Sequence, residues 1–170
     1  MAPSDRSSGS AAARIIPLRS PVRPELDERT LRGALGRIAA DVARSVHGLP
    51  TLTISLDVAD DHAADAAPEA VAVPLRRLLE AACTAVVAPG PGGACPRVRE
   101  VVVTTVDTGT ALEIEVADSA ADVSRQEAVV AELQPLAARA GWTLSAVACP
   151  DGGLAVTLRI PRRRGRSLAA

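Results

Sequence analysis

The sequence predicts an α+β fold, a two-layer α/β sandwich in which a mixed, mostly antiparallel sheet is covered by helices on one face. Two observations predict it. Apolar residues recur at helical spacing in some segments and alternate with polar residues, as in half-buried strands, in others. Most of the predicted strands follow one another across short Gly-containing turns, which indicates hairpins. One sheet with helices on a single face fits this order.

Composition divides the 170 residues into three parts. Residues 1–24 are rich in Ser, Ala, Pro and Arg without sustained periodicity, which predicts a flexible leader. Residues 25–161 are predicted to form the folded domain, with an N-terminal helix in 25–48 and a core in 51–161. Residues 162–170 form a basic tail.

The first predicted element is an amphipathic helix from residue 25 to 46, ended by Gly48 and Pro50. Its apolar stripe repeats at steps of three and four residues: Leu31, Leu35, Ile38, Val42 and Val46. Residues 51–58 then alternate apolar and polar side chains, which predicts a strand.

A second helix is predicted to open at Pro74, since proline favours the first position of a helix, and to end before the Pro- and Gly-rich run 89–93. The β-branched run 98–106 and the alternating run 112–116 flank a short turn. Together these runs predict a hairpin.

Ser124 followed three residues later by Glu127 predicts a capping box that opens a third helix. Pro135 is expected to kink this helix or to end its first half. Gly141 is expected to close it. Residues 142–149 and 154–160, joined by the turn 150–153, then predict a second hairpin.

Composition excludes several classes of function. All 19 basic residues are arginine, so no lysine can form a Schiff base or clamp a phosphate, and one Trp without Phe or Tyr leaves almost no platform for stacking bases. Residues 51–158 are strongly acidic, which argues against nucleic-acid binding except through a tail from Arg159 to Arg166. No apolar run is long enough for a membrane span or a signal peptide, so we expect a cytoplasmic protein.

The cysteines and histidines predict no catalytic or metal site. Cys83, Cys95 and Cys149 are widely spaced and lack a paired-ligand pattern, so we interpret them as free thiols. His47 precedes Gly48 in a terminal helical turn, and His62 lies in an Asp- and Ala-rich loop. Neither position suits a reacting histidine.

Three segments in this β-α-β-β-α-β-β order resemble the motifs of the histidine-kinase-type ATPase family (GHKL, or Bergerat fold). In the second helix, Glu80 precedes Thr84 by four residues, where the family has an acid or Asn before a metal-binding Asn. Asp118 ends a strand, as the adenine-reading Asp of the family does. Gly153 and Pro161 match the closing Gly-rich segment.

The departures from the family pattern shape the functional expectation. Thr84 replaces the metal-binding Asn, while Ala120 and Asp122 replace two glycines that let the backbone approach the nucleotide. Only residues 119–123 separate Asp118 from the next helix, which leaves no long lid. We therefore expect a degenerate, noncatalytic domain without cofactor, acting in regulation or protein interaction in bacterial signalling.

The alternative is a divergent ATP-binding domain of a sensor histidine kinase or anti-sigma-factor kinase. The resemblance then implies ATP with magnesium held by Glu80, Thr84, Asp118 and Gly153, with Glu80 as the candidate general base. Helix 25–46 is either the remnant of a kinase dimerisation helix or an extra layer on the sheet; its single stripe without heptads favours the second interpretation.

Overall fold

The computed structural model describes residues 30–45, 52–59, 68–90, 93 and 99–162. Within these ranges the chain forms three helices and one five-stranded sheet. Their bounds, in chain order, are α1 (Leu31–Ser45), β1 (Thr53–Asp57), α2 (Pro68–Val87), β2 (Glu100–Asp107), β3 (Ala111–Asp118), α3 (Ser124–Arg139), β4 (Thr143–Ala148) and β5 (Leu154–Pro161).

The strands lie in the order β1-β2-β3-β5-β4. β1 pairs with β2 in parallel, because α2 connects them, and the remaining pairs are antiparallel. The two antiparallel pairs that are consecutive in sequence, β2 with β3 and β4 with β5, are the two predicted hairpins. The predicted α+β fold with a mixed, mostly antiparallel sheet is confirmed.

Alternation of side chains along the strands gives the sheet one apolar face, onto which the helices pack. In β5 the residues Leu154, Val156, Leu158 and Ile160 are buried, whereas the residues between them are at least partly exposed. α2 lies over the centre of this face, with Leu75, Leu79 and Val86 almost fully buried. The core is therefore built from branched aliphatic side chains, as the composition predicts.

The helix α1 packs along α2 and covers the β1 edge of the sheet. Leu35 and Val42 are fully buried on its inner face, and an ion pair between Asp41 and Arg76 joins it to α2 at 2.7 Å. The parts of the predicted helix at 25–29 and beyond residue 45 lie outside the described residues. The described part behaves as a layer of the sandwich.

The prediction that Pro74 opens α2 is wrong, because the helix begins at Pro68 and continues through Pro74. Pro74 leaves the carbonyl of Ala70 without its helical donor, but Ala70 is exposed, so water can satisfy that carbonyl. The same reasoning applies to Pro135. α3 continues from Ser124 to Arg139 through this proline, and the carbonyl left without a donor belongs to the exposed Ala131.

The predicted capping box at the start of α3 is also wrong. No side chain caps the helix from its N-cap position, Val123. Instead the Ser124 backbone N–H donates to the carboxylate of Asp122 at 2.9 Å. At the other end Gly141 adopts a left-handed conformation (φ 76°), and the Trp142 N–H returns to the Ala137 carbonyl at 2.9 Å. Gly141 thus closes α3 as predicted.

Candidate functional site

Asp118 ends β3 on the helix-covered face of the sheet, where it is only 9% exposed. Its Oδ1 accepts a hydrogen bond from the Ala120 N–H at 2.8 Å, and its Oδ2 accepts one from the Gln126 side-chain amide. The Leu154 N–H also donates a hydrogen bond to this side chain, and that bond favours the ionised carboxylate. Both carboxylate oxygens are therefore bonded to groups of the protein itself.

Burial governs the ionisation of Asp118. Loss of hydration raises the pKa of this carboxyl above its ordinary value, and the hydrogen bonds from Ala120, Gln126 and Leu154 oppose that rise only in part. Cys83 of α2 is fully buried nearby. Its own burial, together with the negative charge of Asp118, raises the pKa of the Cys83 thiol to about 11. At neutral pH this cysteine is an uncharged thiol rather than a nucleophilic thiolate.

Gln126 is the central residue of the site that the sequence analysis missed. It lies in the first turns of α3 and is 2% exposed. Its Nε2 donates to Asp118, while its Oε1 is buried without a hydrogen-bond partner among the described residues. The buried positions of α3 are Gln126, Val130, Leu133 and Ala137, at helical spacing. Gln126 lies four residues before Val130, so the helical spacing of the apolar stripe predicts that its side chain is buried.

Gly153 contacts the end of β3 directly. Its φ is +92°, and a Cβ atom built on it would lie 1.8 Å from the Asp118 carbonyl oxygen. Gly153 is therefore fixed by close packing of one backbone against another. The structure brings Gly153 and Asp118 together, as the resemblance implies.

Glu80 and Thr84 lie one turn apart on α2, and both are half-buried. The Thr84 hydroxyl donates to the Glu80 backbone carbonyl at 2.6 Å, so its proton is used within the helix. The bond joins Thr84 to the backbone of Glu80 and leaves the Glu80 carboxylate outside it. In the described part of the chain, no group of three or more His, Cys, Asp and Glu side chains could hold a metal ion.

The segment between β3 and α3 is short, and its own residues fill the space at the start of α3. Ala120 is 1% exposed and belongs to the hydrophobic core. Asp122 is exposed, and its bonds to the backbone and side chain of Ser124 lower the pKa of its carboxyl. The N-terminus of α3 thus already carries a negative charge of the protein. The helix dipole would otherwise attract an external anion at this point.

A shallow cavity of about 130 Å³ lies on the opposite, open face of the sheet, beside the end of β3. It is lined by Glu100, Val102, Ala117, Asp118 and Ser119. Its volume is below the roughly 300 Å³ at which pockets for small organic ligands begin. This cavity does not provide room for a nucleotide.

The remaining residues that the sequence analysis considered are distributed elsewhere. Arg159 belongs to β5 and pairs with Glu113 at 3.3 Å, while Arg162 pairs with Asp107. The other tail arginines, His47, His62 and Cys95 lie outside the described residues. Cys149 is a half-buried free thiol. No helix among the described residues is long and apolar enough to cross a membrane.

The fold is that of histidine kinase ATP-binding domains. The chain is similar to the catalytic domain of histidine kinase ThkA in a nucleotide-free form (TM-score 0.59, 11% identity, 78% of this chain and 92% of that one). It is also similar to the ATP-binding domain of PrrB from Mycobacterium tuberculosis (TM-score 0.55, 22% identity, 79% and 95%). A histidine kinase from Burkholderia phymatum gives a TM-score of 0.57 at 14% identity, over 78% and 68%.

Comparison with protein-family models and with curated protein sequences found no match. The likeness therefore lies in the path of the backbone, and low sequence identity accompanies it. What the site can do has to be argued from the side chains of this chain.

Proposed function

We propose that this chain is a noncatalytic module with the histidine kinase ATP-binding fold, which acts through protein contacts in bacterial signalling and does not bind ATP. The observation that carries the proposal is the burial and hydrogen bonding of the Asp118 carboxylate. Its carboxylate is nearly buried and accepts hydrogen bonds from Ala120 and Gln126. A ligand amine would have to compete for this buried carboxylate with the Ala120 N–H and the Gln126 amide.

The surroundings of Asp118 support the same proposal. The buried Ala120 occupies the backbone approach that a glycine would leave open, and Asp122 adds a negative charge at the start of α3. A triphosphate would meet this charge without a lysine to offset it, since the chain has none. The Thr84 hydroxyl, already donating within α2, is a poor substitute for a metal-binding amide oxygen.

These residues do not fit magnesium-bound ATP, so they do not support phosphoryl transfer. The structure retains a well-packed sheet and helix layer, which leaves its surfaces available for recognition. A role in protein contacts is consistent with this combination, because packing of the core supports binding surfaces whether or not a nucleotide site is present.

Isothermal titration calorimetry with magnesium and ATP tests the proposal. We expect no saturable heat up to millimolar nucleotide, under conditions in which the PrrB ATP-binding domain serves as the positive control. Micromolar affinity that is lost in Asp118→Asn would overturn the proposal. It would support the alternative, a divergent ATP-binding domain that uses Glu80, Thr84, Asp118 and Gly153, which the likeness to the PrrB domain favours.

A further inference from the structure

β4 is an edge strand with an accessible outer side. It pairs with β5 along one side, and in the described part of the chain no strand pairs with its other side. Every residue of β4 except the half-buried Leu144 is exposed, and Val147 is 67% exposed. The backbone of this edge is open to pairing with another strand.

The hydrogen-bond pattern shows which backbone groups face outward. The Cys149 N–H donates to the Gly153 carbonyl at 3.0 Å, one step beyond the ladder between β4 and β5. Because bonded and non-bonded pairs alternate in an antiparallel ladder, Thr143, Ser145 and Val147 direct their backbone groups toward β5. The backbone N–H and C=O groups that point away from the sheet belong to Leu144, Ala146 and Ala148.

β4 also lacks the features that usually keep an edge strand from pairing. Its sequence, TLSAVA, contains no charged residue and no proline, whereas each of the other four strands contains at least one charged residue. Charged side chains and prolines are the common protection of sheet edges. This edge is therefore suited to pairing by both its backbone and its side chains.

We propose that β4 pairs antiparallel with β4 of a second copy of this chain, which joins the two sheets into one. Antiparallel pairing of identical strands is compatible with two-fold symmetry, the commonest symmetry of homodimers. Because β4 is uncharged, self-pairing brings no like charges opposite each other. A second copy thus fits this edge without electrostatic conflict.

The outward groups also determine the register. Leu144, Ala146 and Ala148 must pair with the same set in the partner subunit. The longest overlap places Ala146 opposite Ala146 of the partner subunit, with Leu144 opposite the partner's Ala148. This register forms about six backbone hydrogen bonds. The small alanine side chains leave room for the two strands to approach. An interface limited to one short strand is small, so we expect a weak, concentration-dependent dimer.

Sedimentation velocity from about 10 µM to about 1 mM tests the proposal on the full chain. The expected result is a species of twice the monomer mass of 17.4 kDa that increases with concentration. In Ala146→Pro the ring removes the outward N–H but no bond to β5, so the fold should persist while the dissociation constant rises at least about tenfold. Circular dichroism checks that the sheet is intact.

A matched pair of charge variants tests the register. Ala146→Glu places two carboxylates opposite each other across the two-fold axis, whereas Ser145→Glu adds the same charge opposite the partner's Val147. Both positions are exposed, so both variants should fold. We expect Ala146→Glu to weaken the dimer far more than Ser145→Glu does. A chain that stays monomeric throughout, or a dimer that all three variants leave unchanged, would overturn the proposal. Neither result depends on whether ATP binds.

Discussion

The contact between Gly153 and Asp118 shows how one residue can depend on the backbone of another. Gly153 has a φ of +92°, and its missing Cβ would collide with the Asp118 carbonyl. The backbone N–H of the next residue, Leu154, hydrogen-bonds to the Asp118 side chain. The glycine therefore helps to hold the buried carboxylate in place.

Gly153→Ala should lower the free energy of unfolding by at least about 3 kcal/mol, because backbone strain and a backbone clash act together. The matched control is Gly109→Ala, where φ is +76° but nothing lies within 4 Å of the added Cβ, so only about 1 kcal/mol of strain is expected. Urea unfolding of both variants measures the difference. Equal losses would mean that the contact with Asp118 does not constrain the fold.

The buried Asp118 carboxyl should make stability depend on pH in a defined direction. Because burial raises its pKa above the ordinary 3.8, the folded chain holds this proton more tightly than the unfolded chain does. Its contribution to stability is therefore fully present below pH 3.8 and is lost as the pH rises through the raised pKa of the folded state.

Asp118→Asn removes this titration and keeps an acceptor for the Ala120 N–H. The stability of the natural chain relative to this variant should therefore fall as the pH rises from about 3 to 7. Urea unfolding at several pH values measures the difference between the two free energies of unfolding. The contributions of the other carboxylates are the same in both chains and cancel in this difference. A natural chain that gains stability relative to the variant over this range would show that the hydrogen bonds, rather than burial, dominate the pKa of Asp118.

At the residue scale the sequence predicts positions better than partners. The place of Asp118 at the end of a strand and of Gly153 in the last turn follows from local patterns. The hydrogen bond between Asp118 and Gln126 does not, because it depends on how α3 packs over β3. The bond of Thr84 to the Glu80 carbonyl was also missed, although it is a local contact that threonines make within helices.

At the scale of elements the strands are predicted to within two residues at each end, because alternating and β-branched runs are typical of half-buried strands. Helix starts were predicted less well. The sequence predicts that Pro74 opens α2 and that Pro135 kinks α3 or ends its first half, yet both helices continue through their prolines. In each case the carbonyl that loses its donor belongs to an exposed alanine, Ala70 or Ala131, and this exposure is not evident from the sequence.

Pro135→Ala tests this explanation of α3. The alanine restores the N–H that can bond to the Ala131 carbonyl and removes the ring, so the free energy of unfolding should rise by about 1–2 kcal/mol. Pro150→Ala is the control, since Pro150 lies in the turn between β4 and β5, where replacement should bring no gain. Thermal unfolding followed by circular dichroism compares the two. No gain in Pro135→Ala would mean that the helix is already adapted to its proline.

At the scale of the whole molecule, the arrangement of layers and the chemistry of the site carry different information. The aliphatic core and the order of elements reproduce the backbone of histidine kinase ATP-binding domains at identities of 11–22% in the ThkA and PrrB domains. The site at the end of β3 is filled by Ala120, Gln126 and Gly153. The pattern of apolar residues predicts the arrangement of layers. Only the packed structure shows which side chains fill the site at the end of β3.

The side-chain amide of Gln126 offers the most direct test of the proposal that the site around Asp118 does not bind ATP. In nitrogen-15 NMR spectra of the full chain, its resonance reports the bond to Asp118, and Gln126→Ala assigns it. We expect the resonance to be shifted by the bond to the carboxylate and to stay unchanged when magnesium and ATP are added to millimolar concentration. A saturable shift of this amide together with the Ala120 N–H, as nucleotide displaces Gln126 from Asp118, would contradict the account.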